Sequence, residues 1–194
     1  MKPKPSLYAV VLYFFLMVGL SWEVGAFSEA DLEKLKATKE CNKCDLSGAD
    51  LTRANLTKAK LEGVNLEWAN LKWANLIEAN LEGANLIGAN LFRADLIGAD
   101  LTKANLKGAH LIGANLFRAD LTEADLTKAN LWGAHLIGAT LSYAELRFAN
   151  LTKANLWGAH LIGADLWGAN LTKANLTEAN LKGAQLYGAN LIGA

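Results

Sequence analysis

Leucine occupies every fifth position from Leu46 to Leu191, and a five-residue period suits neither helix nor strand. An α-helix turns about 100° per residue, so successive leucines would rotate by about 140° and scatter around its axis. A straight strand would throw alternate leucines to opposite faces. The leucines can share one interior only if the chain bends once per unit.

The residues around each leucine say where it bends. Every fifth residue from Ala49 to Ala194 is alanine except Val64, and the residue before each leucine is mostly Asn or Asp. Ala-Asn-Leu therefore reads in-out-in as a three-residue strand, and Leu-x-x-Ala reads as a turn. Fifteen of the 17 glycines, Gly88 and Gly163 among them, stand two residues after a leucine, where a type II turn requires positive φ. From Asp45 to Ala194 there are 30 such units without interruption. One unit cannot fold alone. Ordering its backbone costs about 1–2 kcal/mol per residue, whereas a buried leucine returns about 1.5–3 kcal/mol. Stability must come from stacking coil on coil, as in an all-β solenoid.

The unbroken Ala-Asn/Asp-Leu-x-x array over residues 45–194 resembles the pentapeptide-repeat family. The resemblance implies a right-handed quadrilateral β-helix with four units per coil. Thirty units would then make about seven and a half coils, a rod about 35 Å long at the usual strand spacing.

The first 44 residues differ from the array. Lys2 and Lys4 precede an apolar run from Leu7 to Leu20, and Val24-Gly25-Ala26 places small residues at a cleavage site, the pattern of a signal peptide over residues 1–26. The alternative is an uncleaved membrane anchor through residues 7–20, although a spanning helix wants about 20 apolar residues. Ser28 with Asp31 forms a variant capping box, Phe27 and Leu32 stand at hydrophobic-staple positions, and Ala30 to Lys39 reads as a short amphipathic helix capping the first coil. Cys41 and Cys44 follow. With no second pair and no nearby histidine to make a zinc site, and with an export signal, they read as a local structural disulfide. A helix, Cys-x-x-Cys and Asp-Leu-Ser-Gly-Ala-Asp-Leu together resemble the start of exported cyanobacterial family members, which implies a periplasm or a thylakoid lumen. The C-terminal coil at Leu191-Ile192-Gly193-Ala194 carries no comparable lid, which makes it the candidate surface for an end-to-end homodimer.

Charge narrows the function classes. Residues 27–194 hold 17 basic and 18 acidic side chains, neither the basic footprint of a nucleic-acid binder nor the acidic surface of a DNA mimic. No nucleic-acid partner is expected, and membrane contact only through an uncleaved signal segment. His110, His135 and His160 are 25 residues apart, one coil plus one unit, so each falls on a new side and they cannot share a metal. No nucleophile-base arrangement and no phosphate loop is recognisable, and no catalytic residue, metal or cofactor is expected.

Apolar residues at the outward position after leucine form the candidate site. At four units per coil, Ile77, Ile97, Phe117, Ile137 and Trp157 stack in one column, with Phe92, Ile112 and Trp132 in the next. A contiguous exposed apolar patch of this kind suits a protein partner. The expected function is a non-enzymatic structural or protein-binding module in an exported compartment. The alternatives are a DNA-mimicking regulator of an enzyme such as gyrase, as some family members are, and a thiol oxidoreductase through Cys41 and Cys44.

Overall fold

The computed structural model describes residues 27–194, so the expected signal segment over residues 1–26 lies outside the described residues. Helix α1 spans Glu29–Thr38. The Ser28 hydroxyl accepts the Asp31 N–H at 3.2 Å, as an N-cap should. Lys39, at φ +57°, ends the helix by donating its N–H to the Leu35 carbonyl.

The expected capping box closes on one side only. Instead of returning to the Ser28 N–H, the Asp31 carboxylate accepts the Asp45 N–H at 2.9 Å. Ser28 donates its own N–H to the Asp45 carbonyl at 3.0 Å. These two bonds tie the helix start to the first repeat, and Leu35 is buried on the core below, with Phe27 and Leu32 packed partly against it.

Parallel bridges join each outward strand residue to the residue 20 positions on, from Glu40 with Lys60 to Asn170 with Asn190. Four five-residue units therefore complete one coil. The first bridge shows that residues 40–44 already adopt the unit geometry. Cys41 takes the leucine place and Cys44 the alanine place, both buried, with Lys43 at φ +58° in the turn.

One unit shows where every backbone N–H goes. Asn90 donates to the Ala69 carbonyl of the preceding coil at 2.9 Å, Leu91 to His110 of the next at 2.8 Å, and Arg93 to Ile112 of the next at 3.0 Å. Ala94 closes the turn onto the Leu91 carbonyl at 3.0 Å. The remaining donor, the N–H of Phe92, has no backbone partner and is taken by the Asn90 side-chain oxygen at 3.2 Å. Every Asn and Asp at this position repeats that bond, as Asp50 does for Thr52, Asp120 for Thr122 and Asn190 for Ile192. A side-chain acceptor two residues back is the Asx turn, and it explains the residue choice that precedes each leucine.

The interior is a column of Leu and Ala. From Leu46 to Ala174 these residues are buried, with the single half-buried exception of Ala54, and the last coil opens progressively until Leu191. Turn positions two after leucine carry positive φ whether or not they hold glycine; Arg93 sits at +52°. A non-glycine residue there costs about 1–2 kcal/mol, a cost opposed by the inter-coil bond that its N–H makes.

Candidate partner surface

The bridges place the predicted stripe residue by residue. Asn90, His110 and Asn130 pair in one column, which stacks Phe92, Ile112 and Trp132 beside them. Asn75, Asp95, Asn115, His135 and Asn155 pair in the adjacent column, which stacks Ile77, Ile97, Phe117, Ile137 and Trp157. Stacking half-buries most of these side chains against one another, while Trp132 and Trp157 remain 43% exposed.

The stripe extends further than the sequence reading allows. Trp73, two residues after Leu71, meets Phe92 edge to face with centroids 5.6 Å apart. It belongs to the turn position of one coil and Phe92 to the post-leucine position of the next, a separation of 19 residues. Phe148 and Trp167 repeat that separation at 4.7 Å on another side of the rod. A search at 19 as well as 20 residues would have found both pairs.

Around Trp73 and Phe92 lies a shallow cavity of about 260 Å³, lined also by Lys72, Asn90, His110 and Ile112. Arg93 lies 5.3 Å from the Phe92 ring centre and Arg53 5.3 Å from that of Trp73. Further along, Arg118 sits over Phe117 at 5.0 Å and Lys153 over Trp132 at 5.3 Å. The stripe is thus an apolar surface edged by cations, each placed where an aromatic quadrupole attracts it.

The three histidines stand on three different bridge columns, His110 beside Asn130, His135 beside Asn155 and His160 beside Asn180. The bridge register thus brings no two of them together. Among the described residues, the one grouping of His, Cys, Asp or Glu close enough to ligate together is Asp31, Cys41 and Cys44. The Cys41 and Cys44 sulfurs lie at disulfide distance, with Cα atoms 5.2 Å apart. The two residues are 0% and 5% exposed, a poor position for thiol exchange, which needs access to a sulfur. The C-terminal coil expected to pair end to end leaves Leu191 41% and Ile192 70% exposed. No helix of the described residues is long and apolar enough to cross a membrane.

Electrostatics concentrate elsewhere. Burial pushes the Asp165 carboxyl up, but the Trp167 N–H at 3.0 Å and the Arg147 guanidinium at 2.6 Å outweigh it and hold the group below the usual carboxylate range. On the side of the stripe, the Thr52 hydroxyl and N–H hold Asp50 below that range as well.

Comparison with known proteins places this architecture. No curated protein matches the chain. Among solved structures, it is similar to HetL, a pentapeptide repeat protein involved in heterocyst differentiation regulation from the cyanobacterium Nostoc sp. strain PCC 7120, at 41% identity over 80% of this chain and 75% of that one, with a TM-score of 0.42. It is similar to a pentapeptide repeat protein of the Arabidopsis thaliana thylakoid lumen at 42% identity, covering 53% of this chain and 68% of that one, with a TM-score of 0.28. It also resembles full-length QnrB1, a plasmid-mediated fluoroquinolone resistance protein, at 22% identity over 75% of this chain and 88% of that one, with a TM-score of 0.30. The family model for pentapeptide repeats matches in overlapping segments that together run over residues 40–193. The chain belongs to the pentapeptide repeat family.

Proposed function

We propose that the chain is a non-enzymatic protein-binding module whose contact surface is the double column of Phe92, Ile112 and Trp132 beside Phe117, Ile137 and Trp157. Family membership implies a right-handed β-helix, and pentapeptide repeat proteins generally act through protein interactions rather than catalysis. The observation that carries the reading is the aromatic stripe itself. Trp132 and Trp157 stay 43% exposed on neighbouring sides although the fold does not need them there. Large aromatic side chains so placed are the residues that dominate binding energy at protein interfaces.

In the same reading, α1 is a cap on the first coil, and the Cys41–Cys44 link is structural and local. Residues 1–26 act as an export signal, on the strength of Lys2, Lys4 and the apolar run to Leu20. The compartment is a periplasm or a thylakoid lumen. The DNA-mimic alternative lacks support from charge, since basic and acidic residues balance.

The test is affinity capture from the native compartment with the parent chain and with Phe117→Ser/Trp157→Ser. Both positions keep their hydrogen bonds, because these use main-chain groups alone: the N–H donates to the Asn115 or Asn155 side-chain oxygen at 3.3 or 3.2 Å, and the carbonyl accepts from the Gly98 or Gly138 N–H at 2.9 or 3.0 Å. Thermal stability should therefore change little while partner retention is lost. Equal retention by the variant would remove this surface from the proposal.

A further inference from the structure

The net neutrality of the chain conceals a division of charge between its sides. The bridge column from Asp50 to Asn190 and the turns that follow it carry Arg53, Lys72, Arg93, Lys153 and Lys173 against one carboxylate, Asp50. Each of the other three columns with its turns has more acidic than basic residues. The basic side is also the one that holds Trp73, Phe92 and Trp132.

Among the described residues none of its cations belongs to an ion pair: the pairs are Lys36–Glu33, Lys58–Glu78, Lys60–Glu40 and Arg147–Asp165, all on the helix or on other sides. Asp50 is engaged locally, by Thr52 and by the Asn70 amide at 3.2 Å. Three of the five cations instead rest on aromatic rings of the stripe, where each guanidinium or ammonium flanks apolar surface.

We infer that this side docks an acidic polypeptide segment, which seats one apolar side chain between Trp73, Phe92 and Ile112 and sets its carboxylates on Arg53 and Arg93. The inference rests on the partner-binding reading and adds the chemistry of the partner. The cavity of about 260 Å³ has room for a single large side chain rather than a lipid or a base stack. Arg53 and Arg93 stand two coils apart, about 10 Å at the spacing of paired strands. An extended peptide covers that distance in about three residues. The matching ligand is therefore an apolar residue with acidic residues before and after it, about three positions apart. A nucleic acid or an anionic membrane fits less well, because the acidic sides of the rod oppose long-range attraction to a polyanion.

The test is selection from a displayed random-peptide library on protein produced from the full sequence, followed by affinity measurement on the selected peptides. Enriched peptides should carry Asp or Glu on both sides of an aromatic or aliphatic residue. Replacing those acids by Asn and Gln, or making Arg53→Glu/Arg93→Glu in the protein, should each weaken binding roughly tenfold or more, and added salt should weaken it too. The charge reversal is compatible with the fold, since Glu78, Glu123 and Glu178 already occupy the same turn position at φ +54° to +59°. Neutral or basic consensus peptides, or affinity indifferent to the reversal, would overturn the inference. So would an empty selection alongside binding to phosphatidylglycerol vesicles, which would assign the side to lipid. Capture from the native compartment separates the two readings. A partner kept by Arg53→Glu/Arg93→Glu but lost by Phe117→Ser/Trp157→Ser removes only the acidic-partner inference, whereas a partner kept by both removes both.

Discussion

The indole of Trp68 lies over the α-carbon of Gly88 one coil further on, in the space that a Cβ at residue 88 would occupy. Trp68 is 66% exposed, and its indole N–H donates to the Glu67 carboxylate at 3.1 Å. The glycine is thus needed twice, for positive φ and as a floor for the ring.

Those two needs can be separated. Gly83 has the same φ of +62° and nothing near its missing Cβ, whereas an added Cβ at Gly88 would run into the Trp68 ring carbons. Gly83→Ala should cost about 1–2 kcal/mol, the backbone term alone. Gly88→Ala should cost more and should shift Trp68 fluorescence, because the ring must move. Chemical denaturation of both variants reads the difference, and equal destabilisation would show that the indole yields without cost.

Part of this architecture is legible in the sequence and part is not, for identifiable reasons. Leu and Ala announce the interior because burial acts on each residue separately, and the stripe from Ile77 to Trp157 follows from the coil number that the family resemblance supplies. The Trp73–Phe92 contact does not follow, because it joins two kinds of position across a coil boundary. Cys41 and Cys44 conceal a repeat unit, since they replace the leucine and alanine by which a unit is recognised. The basic side is hidden for a third reason. Net charge is an average over the whole chain, and it stays uninformative until the residues are sorted by column, which the 20-residue bridge register does for Arg53, Arg93 and Lys153.

The Asx bond gives a second prediction, at His135. Directly before and after it in the column, Asn115 and Asn155 accept the N–H groups of Phe117 and Trp157. Among the described residues the Ile137 N–H makes no such bond, because an imidazole in place of the short amide does not supply it. His135→Asn should close the gap and raise stability by about 0.5–1.5 kcal/mol, the usual net worth of an intramolecular hydrogen bond. His135→Ala is the control, which removes the ring without adding the acceptor. A melting temperature no higher for the asparagine than for the alanine variant would show that water already satisfies this donor.

Acid sensitivity should reside partly at Asp165. Its carboxyl, pushed up by burial but held down overall by the Trp167 N–H and by Arg147, has a lower pKa folded than unfolded, where carboxylates of this type titrate near about 3.9. Between those two values the unfolded chain binds more protons, so stability rises with pH. The contribution is therefore complete above the unfolded value and is lost as pH falls through the folded one. Arg147→Met removes one of the two restraints and leaves the carboxyl buried next to Glu145 in the same column. The variant should melt below the parent at neutral pH, and the gap should narrow as the pH drops through about 4, because a protonated Asp165 no longer distinguishes the two proteins. Melting temperatures of both chains measured from neutral to acidic pH test this. A gap independent of pH would mean that Arg147 contributes through packing over Asp165 and not through charge.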